Sequence, residues 1–294
     1  MTIPANTAAF QGQPGAYSDL ACRTALPTYK TLPCPSFEDA LQAVRDGNAE
    51  RAMIPIENSL AGRVADIHHL LPDSGLFIVG EHFQRVSHCL VARRGAVLDD
   101  IRQALSHQQA LSQCRLRLRS LGIAPVSWAD TAGAAAEIAR RQDPATAAIA
   151  SALAAEIYGL DILVRELEDA EHNTTRFVIL AREAARGDAI AGPVMTSLVF
   201  RLRSVPAALY KALGGFATNG VNITKLESYM DGSFQVAQFY VDIEGSPAQR
   251  AMALALEELR FFSHEVRLLG TYPAHAYRAR RVTIATTETE EHRP

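Results

Sequence analysis

The segment EHNTTRFVIL, residues 171–180, places an amide, two hydroxyls and a guanidinium directly before an apolar run. An arginine binds a carboxylate through two parallel hydrogen bonds, and a threonine hydroxyl can donate one aimed hydrogen bond. Because the apolar run is typical of a buried strand, Thr175 and Arg176 are expected on opposite faces of that strand. The pattern predicts an anion site at the strand start, although an ordinary strand start can have the same composition.

Two further polar clusters follow apolar segments. Glu57, Asn58 and Ser59 end the stretch MIPIENS, at the carboxyl end of a predicted strand, which is where α/β sheets bind ligands. In SHQQALSQC, Ser106 and Gln113 are seven residues apart, which would place them on one face of a helix. The alternatives are that residues 58–59 only cap the next helix and that residues 106–113 form a solvated stripe.

The stretch FQGQPGAYS, residues 10–18, combines glycines and a proline directly after a predicted strand. Its residues Gly15, Ala16, Tyr17 and Ser18 precede a helix expected to begin near Ser18, so their backbone N–H groups could approach an anion. A tight strand-to-helix turn explains the same residues equally well.

Composition excludes several classes of function. The formal net charge of −3 among 294 residues argues against nucleic acid as a partner. No apolar run approaches the roughly 20 residues of a membrane span, and residues 1–10 lack the features of a signal peptide, so a cytoplasmic protein is expected. The sequence contains no GxxxxGK[ST], GxSxG or HExxH motif and no GxGxxG after a strand, which favours a small anion handled without nucleotide, metal or acyl-enzyme.

Elements that would position these residues alternate between strands and helices up to about residue 182, which predicts an α/β architecture. Residues 97–122 are expected to be one helical stretch, and Ser36 is expected to cap a helix that stops at Gly47. Residues 181–193 are predicted to be a linker.

The pattern changes after the linker. Strands and helices follow in the order βαββαβ, with a hairpin turn at Asp231-Gly232 and a second helix capped by Ser246. This order predicts a ferredoxin-like module.

Taken in order, FQGQPGAYS, PIENS, SHQQALSQC and NTTRF resemble the motifs of prephenate dehydratase, and the βαββαβ module resembles the ACT regulatory domain of that family. The resemblance implies a two-lobed catalytic domain like a type II periplasmic binding protein over residues 7–183, with chain crossings near 83 and 165. It implies an ACT domain over residues 193–275 and a polar, disordered tail over residues 276–294. The implied reaction converts prephenate to phenylpyruvate in L-phenylalanine biosynthesis, without a cofactor.

Site residues carry over from the family by position. The resemblance implies a catalytic set of Thr175, Glu57, Asn58, Ser106 and Gln113, with Thr175 assisting departure of the ring hydroxyl. It implies a substrate-binding set of Gly15, Ala16, Tyr17, Ser18, Ser59, Thr174, Arg176 and Phe177.

The regulatory module departs from the family pattern. Its Ala207-Ala208-Leu209 stands where the family has GAL, and Glu227-Ser228-Tyr229-Met230 stands where the family has ESRP. The implied effector site consists of six of these positions, with L-phenylalanine as the expected effector: Ala207, Ala208, Leu209, Asn222, Glu227 and Ser228. Edge pairing of ACT sheets implies a homodimer or homotetramer, and the apolar segment QVAQFYVDI, residues 235–243, is expected to be a strand in need of protection.

Two alternatives stay open. Arogenate dehydratase uses the same site on an amino-bearing substrate. A non-catalytic small-anion binding protein fused to an amino-acid sensor would have the same two-part organisation.

Overall fold

The computed structural model describes residues 6–141, 143–185, 190–230 and 237–279. Its strands are β1 (Thr7–Gln11), β2 (Lys30–Cys34), β3 (Arg51–Asn58), β4 (Gly62–Arg63), β5 (Phe77–Arg85), β6 (Cys89–Ala92), β7 (Gln103–Ser106), β8 (Ala124–Ser127), β9 (Thr146–Ala150), β10 (Asp161–Val164), β11 (Thr174–Ala181), β12 (Val194–Leu202), β13 (Ile223–Met230), β14 (Ala237–Glu244) and β15 (Ser263–Pro273). Its α-helices are α1 (Tyr17–Ala25), α2 (Phe37–Arg45), α3 (Ala65–Asp73), α4 (Gln108–Gln113), α5 (Arg115–Ser120), α6 (Thr131–Arg140), α7 (Ala152–Tyr158), α8 (Ala208–Thr218) and α9 (Arg250–Phe262). The predicted mixed α/β fold is confirmed.

The strands form three sheets. The first has the order β2-β1-β3-β11-β5, with the short β4 paired to β3, and the second has the order β10-β6-β9-β7-β8. The chain passes from the first sheet to the second between residues 85 and 89 and returns between residues 164 and 174. β1 is parallel to β2 and β3, and β7 is parallel to β8 and β9, as expected where helices connect successive strands.

Two compact units divide the chain: residues 1–64 with 83–177, and residues 65–82 with 178–294. In the first unit, apolar side chains fill the core on the second sheet, where strand β9 is buried along its whole length. Helix α2 begins as predicted, because the Ser36 side chain accepts a hydrogen bond from the Asp39 backbone N–H. Gly47 follows the helix with φ +78°, a conformation that favours glycine.

The prediction of one helical stretch over residues 97–122 is wrong. The segment contains a 3₁₀ turn at Leu98–Asp100, strand β7, and the short helices α4 and α5. Ala104 and Leu105 of β7 are buried where β7 pairs with β8 on one side and β9 on the other. Pairing within the sheet therefore overrides a local pattern that favours helix.

The second unit contains the predicted βαββαβ order as β12, α8, β13, β14, α9 and β15. The sheet has the order β13-β14-β12-β15, and each pair of neighbouring strands is antiparallel. Both helices pack on one face, over a core that includes Phe200, Phe216, Val241 and Leu259. Leu209 and Leu213 of α8 pack against that core, as their spacing predicts.

Several details of this module differ from prediction. Helix α9 begins at Arg250 and not at Ser246, because Ser246 lies in a turn in which its backbone N–H donates to Gln249 Oε1 at 3.1 Å. Residues 237–243 of the segment expected to need protection belong to β14, which lies between β13 and β12, so their apolar character reflects an interior position, and residues 235–236 lie outside the described residues. Turn residues Asp231 and Gly232 lie outside the described residues, but Met230 pairs with Ala237 in the antiparallel register that a hairpin requires.

The predicted linker before the βαββαβ module and the predicted tail after it can be compared with the structure only in part. Residues 186–189 of the predicted linker and residues 280–294 of the predicted tail lie outside the described residues. The tail was expected to start at residue 276, but residues 277–279 are helical and Arg278 is bound by two hydrogen bonds to the buried carboxylate of Glu81, at 2.6 and 2.8 Å. No helix in the described ranges has the length and apolar character of a membrane span.

Candidate active site

Four segments of the first unit bring polar side chains together. Asn58 is the last residue of β3, Asn173 and Thr175 lie at the start of β11, Gln113 ends α4, and His88 precedes β6. The strand ends are fastened by Ser59, whose N–H donates to the Thr174 carbonyl at 2.9 Å. Sheet pairing between β3 and β11 thus places residues far apart in sequence at one edge.

The carboxamide of Asn58 has a fixed orientation. Its Oδ1 accepts hydrogen bonds from the backbone N–H groups of Leu60 and Ala61, at 3.0 and 2.9 Å. Because a backbone N–H can only donate, the oxygen must lie on that side, which settles the assignment of oxygen and nitrogen. The Asn58 Nδ2 group therefore donates to Asn173 Oδ1 at 2.8 Å and to Thr175 Oγ1 at 3.0 Å.

Thr175 is consequently an oriented hydroxyl. Its Oγ1 accepts from Asn58, so its own proton is directed elsewhere. Thr175 is partly exposed, whereas the next two residues along β11 are buried. The Thr175 hydroxyl proton is therefore available to a further acceptor.

A second arm of the network runs through Gln113. Its Oε1 accepts from Asn173 Nδ2 at 2.9 Å and lies 2.9 Å from His88 Nε2. The other ring nitrogen, His88 Nδ1, is 2.9 Å from the hydroxyl of Tyr17. Burial lowers the pKa of His88, although the hydrogen bond with Gln113 and the charge of Glu168 oppose the shift, and burial raises the pKa of Tyr17.

Arg176 and Glu57 form an ion pair beside this network. Arg176 Nη1 lies 3.3 Å from Glu57 Oε1, and the Arg176 side chain is 2% exposed whereas that of Glu57 is 33% exposed. Phe177 belongs to the core at 1% exposure. The expectation that Thr175 and Arg176 point to different sides of β11 agrees with these positions, but the predicted binding role of Phe177 conflicts with its burial.

Two serines predicted to lie in the site, Ser106 and Ser59, use their hydroxyl groups to bind backbone groups. Ser106 is fully buried and donates to the Ile149 carbonyl at 2.7 Å, which ties β7 to β9. Since β7 is a strand and Gln113 ends a helix, the shared helix face expected for Ser106 and Gln113 is wrong. Ser59 Oγ donates to the His172 carbonyl at 2.8 Å and accepts from the Thr174 N–H at 3.0 Å, so Ser59 and the Thr174 backbone join two strands.

The glycine-containing turn is tightly packed. Gly15 has φ +89°, and a Cβ there would lie 2.7 Å from the Ala154 Cα. Its N–H donates to the buried Asp19 carboxylate at 2.8 Å, while the Ala16 N–H donates to the Gln13 carbonyl at 3.0 Å. These two amides therefore have acceptors within the turn, which contradicts their predicted role in holding an anion.

Side chains after the turn behave differently from prediction as well. Ser18 is buried at 8% exposure. Tyr17 directs its hydroxyl to the Ser87 carbonyl at 2.8 Å as well as to His88. The structure therefore connects Tyr17 to the polar network through His88, a residue that the sequence did not single out.

The predicted effector residues lie in the second unit. Ala207 has φ +59° at the start of α8, Ala208 is 9% exposed, and Leu209 packs on the module core. Asn222 is exposed, and its carbonyl accepts from the Glu244 N–H at 3.0 Å.

Glu227 and Ser228 are neighbours on the edge strand β13. Glu227 pairs with Lys225 at 3.2 Å. Since the two residues are consecutive in a strand, their side chains point to opposite faces of the sheet.

Along the chain, two α/β sheets with a polar network at their strand ends are followed by a βαββαβ module, which is the arrangement of an α/β protein with an added ferredoxin-like module. Comparison with known proteins identifies the class further: a family profile for prephenate dehydratase matches residues 8–185. The chain belongs to the prephenate dehydratase family.

Individual relatives cover nearly all of the chain. A protein of Komagataeibacter europaeus named bifunctional N-acyl-homoserine lactone acylase/prephenate dehydratase is 56% identical, over 92% of this chain and 96% of its own. Arogenate dehydratase 2 of Petunia hybrida is 40% identical, over 90% of this chain and 71% of its own.

Solved structures show the same similarity. The prephenate dehydratase of Arthrobacter aurescens in complex with L-Phe has a TM-score of 0.81 at 28% identity, over 96% of this chain and 99% of its own. A structure described as GqqA, a novel type of quorum quenching acylase, has a TM-score of 0.86 at 54% identity, over 93% of this chain and all of its own.

Proposed function

We propose that this chain is a prephenate dehydratase, which converts prephenate to phenylpyruvate with loss of carbon dioxide and water. The observation that carries the proposal is the Thr175 hydroxyl, which accepts from Asn58 Nδ2 at 3.0 Å and so has its proton available for a leaving group. Membership of the prephenate dehydratase family supports the same reaction.

The chemistry requires little from the protein. In the prephenate dianion, the bond between the ring and its carboxylate breaks, the electron pair enters the ring, and the bond to the ring hydroxyl breaks at the opposite carbon. The products are the phenylpyruvate anion, carbon dioxide and hydroxide, which becomes water by taking up one proton from the buffered solvent. Formation of the aromatic ring makes the reaction strongly downhill, so catalysis consists of holding the dianion and stabilising the departing hydroxide.

Thr175 supplies that stabilisation in the proposed mechanism. Its hydroxyl donates to the departing oxygen, and Asn58 holds the threonine oxygen in place by a hydrogen bond that does not consume the threonine proton. The positive charge of Arg176 lies one residue away, paired with Glu57. Because the Glu57 carboxylate offsets the charge of Arg176, this ion pair attracts the substrate anion less than a lone guanidinium would. Neutral hydrogen-bond donors must therefore contribute most of the substrate binding.

The acylase part of the Komagataeibacter relative's name describes a different chemistry, which needs a nucleophile next to a base. Here the Ser106 proton is donated to the Ile149 carbonyl, and the partner of Thr175 is an amide N–H, which cannot take a proton. This geometry favours elimination over acyl transfer at the site.

The substrate could be either prephenate or arogenate. Plant relatives are named arogenate dehydratases or arogenate/prephenate dehydratases, and arogenate carries an amino group where prephenate carries a ketone. The donor network described above faces a departing hydroxyl that both substrates share. We favour prephenate because the bacterial relative of 56% identity has prephenate dehydratase in its name.

We further propose that the two sheets of residues 7–183 are the two lobes of a periplasmic-binding-protein-like catalytic domain. The βαββαβ module of residues 193–275 is an ACT domain that assembles the chain into a homodimer or homotetramer and binds L-phenylalanine as an inhibitor. The Arthrobacter aurescens structure in complex with L-Phe supports the effector. The expected cytoplasmic location rests on the sequence alone.

The testing experiment follows purified protein with prephenate, arogenate and an N-acyl-homoserine lactone in parallel, with and without L-phenylalanine. Phenylpyruvate formation from prephenate, detected by its absorbance in alkali, supports the proposal. If the protein turns over arogenate but not prephenate, the proposed substrate is wrong and arogenate takes its place. If the protein binds prephenate without converting it, the chain is better described as a non-catalytic small-anion binding protein. Absence of both heat and inhibition on titration with L-phenylalanine would reject the effector.

A further inference from the structure

His88 occupies a connecting position that the proposed mechanism does not use. It is 2% exposed, and each ring nitrogen has a polar partner at 2.9 Å: Gln113 Oε1 for Nε2 and the Tyr17 hydroxyl for Nδ1. The protonation of this ring follows from the orientation of its neighbours.

The direction of each hydrogen bond can be worked out from Asn58. Its Nδ2 donates to Asn173 Oδ1, so the Asn173 amide nitrogen must be the atom that donates to Gln113 Oε1, at 2.9 Å. The Gln113 oxygen is therefore turned toward Asn173 and His88. A carbonyl oxygen accepts two hydrogen bonds, so the second donor is the N–H at His88 Nε2.

The opposite side of the ring completes the assignment. Burial disfavours the charged imidazolium, so Nδ1 of the neutral ring carries a lone pair and accepts from the Tyr17 hydroxyl. The single Tyr17 hydroxyl proton then points to His88 Nδ1, and the Ser87 carbonyl, 2.8 Å from the same hydroxyl, competes with Nδ1 for that proton. With the proton at Nδ1, Tyr17 could accept from Nδ1 and donate to Ser87, but the unprotonated Nε2 would then face the Gln113 oxygen, which is also an acceptor.

We infer that His88, as its Nε2–H tautomer, is a positioning residue: together with Asn173 it holds the Gln113 oxygen, so that Gln113 presents its amide N–H groups, and not its oxygen, to the substrate anion. The inference rests on the proposed function and extends it to a specific division of labour. Thr175 addresses the departing hydroxyl, and the Gln113 amide addresses a negatively charged oxygen of the bound substrate.

The alternative tautomer has a defined consequence. With the proton at Nδ1, the Nε2 lone pair would attract the Gln113 amide, which would then turn its oxygen outward and set its nitrogen against the Asn173 amide. An outward oxygen repels a carboxylate, whereas an N–H donor binds it. The tautomer of His88, together with the Asn173 amide, therefore sets whether Gln113 offers a donor or an acceptor to an anion.

Three variants separate this role from a general structural one. Glutamine at position 88 places an amide N–H near the position of Nε2, whereas glutamate of the same shape places an acceptor there. We expect His88→Gln to retain most of kcat/KM, and His88→Glu to lower kcat/KM about 10- to 100-fold, the range for one hydrogen bond to a charged group. Tyr17→Phe removes the donor to Nδ1 and is expected to raise KM more than it lowers kcat.

A spectroscopic measurement tests the tautomer without relying on turnover. In protein labelled with ¹⁵N-histidine, the resonances assigned to His88 by comparison with His88→Gln should show a protonated Nε2 and an unprotonated Nδ1. The titratable groups facing the ring are Glu168, whose carboxylate accepts the His88 backbone N–H at 2.7 Å, and the neutral Tyr17, which in turn has Cys89 and Cys114 near it. The pattern should persist below the ordinary pKa of histidine and shift toward a mixture in Tyr17→Phe.

A protonated Nδ1 in the wild-type protein overturns the inference, as does equal activity of folded His88→Gln and His88→Glu. If His88→Glu fails to fold by circular dichroism, the Tyr17→Phe spectrum decides the question alone. Absence of prephenate turnover in the wild type would defeat the proposed function, while the tautomer measurement would still report on the network.

Discussion

Thr175→Val is the substitution that tests the proposed mechanism most directly. Valine keeps the branched shape of threonine and replaces its hydroxyl by a methyl group, so no cavity is created. Removing one aimed donor to a developing anion lowers kcat by about 10²–10³, which corresponds to about 2.7–4 kcal/mol of transition-state stabilisation. The substrate is expected to bind with little change in KM, because the departing oxygen carries its charge only in the transition state.

The same substitution should cost little stability. Asn58 Nδ2 loses Thr175 Oγ1 at 3.0 Å but keeps Asn173 Oδ1 at 2.8 Å, so the free energy of unfolding should fall by about 1 kcal/mol. The assay compares kcat, KM and the melting temperature of wild type, Thr175→Val and Thr175→Ser. Thr175→Ser keeps the hydroxyl and should retain most activity. If Thr175→Val retains a near-normal kcat, the hydroxyl does not stabilise the leaving group and the mechanism is wrong.

Three further predictions concern the second unit. Arg278→Ala should lower the free energy of unfolding in urea by about 3–5 kcal/mol, because it leaves the fully buried Glu81 carboxylate without its charged partner, and Arg278→Lys should recover part of the loss. Gly270→Ala should lower the melting temperature, since a Cβ there would overlap the Ile78 carbonyl, and an unchanged melting temperature would contradict that packing. Ala207→Gly should raise stability by about 1 kcal/mol, because φ at Ala207 is +59° and glycine adopts this conformation without strain, and a melting temperature below that of the wild type would refute this account.

The fold was predictable where local pattern and tertiary position agree. Strand β3 coincides with the apolar segment expected over residues 51–58, and β9 is an apolar run that is buried along its whole length. Strand β7 was missed because its four residues lie within a sequence with helical spacing, and only its pairing with β8 and β9 makes it a strand. No local signal in residues 97–122 carries that information.

The site was predictable in part for the same reason. Asn58 and Thr175 belong to motifs at strand ends, and the structure joins them at 3.0 Å. Ser106 belongs to an equally suggestive motif, yet its hydroxyl is taken by a backbone carbonyl, which no sequence pattern reveals. His88 follows Ser87 in a segment without any chemical signature, and its position becomes apparent only through the partners of its ring.

The grouping of residues 65–82 with residues 178–294 bears on how such chains can be recombined. A chimera made at the predicted linker would take the βαββαβ module from one parent and helix α3 from another. It would then have to rebuild the contact of Gly270 with Ile78 and the binding of Arg278 to Glu81 from unrelated sequences. Exchange of the βαββαβ module between family members should therefore succeed only when residues 65–82 are exchanged with it. The two pieces are then expected to be inherited together, although the 95 residues between them, 83–177, belong to the other unit.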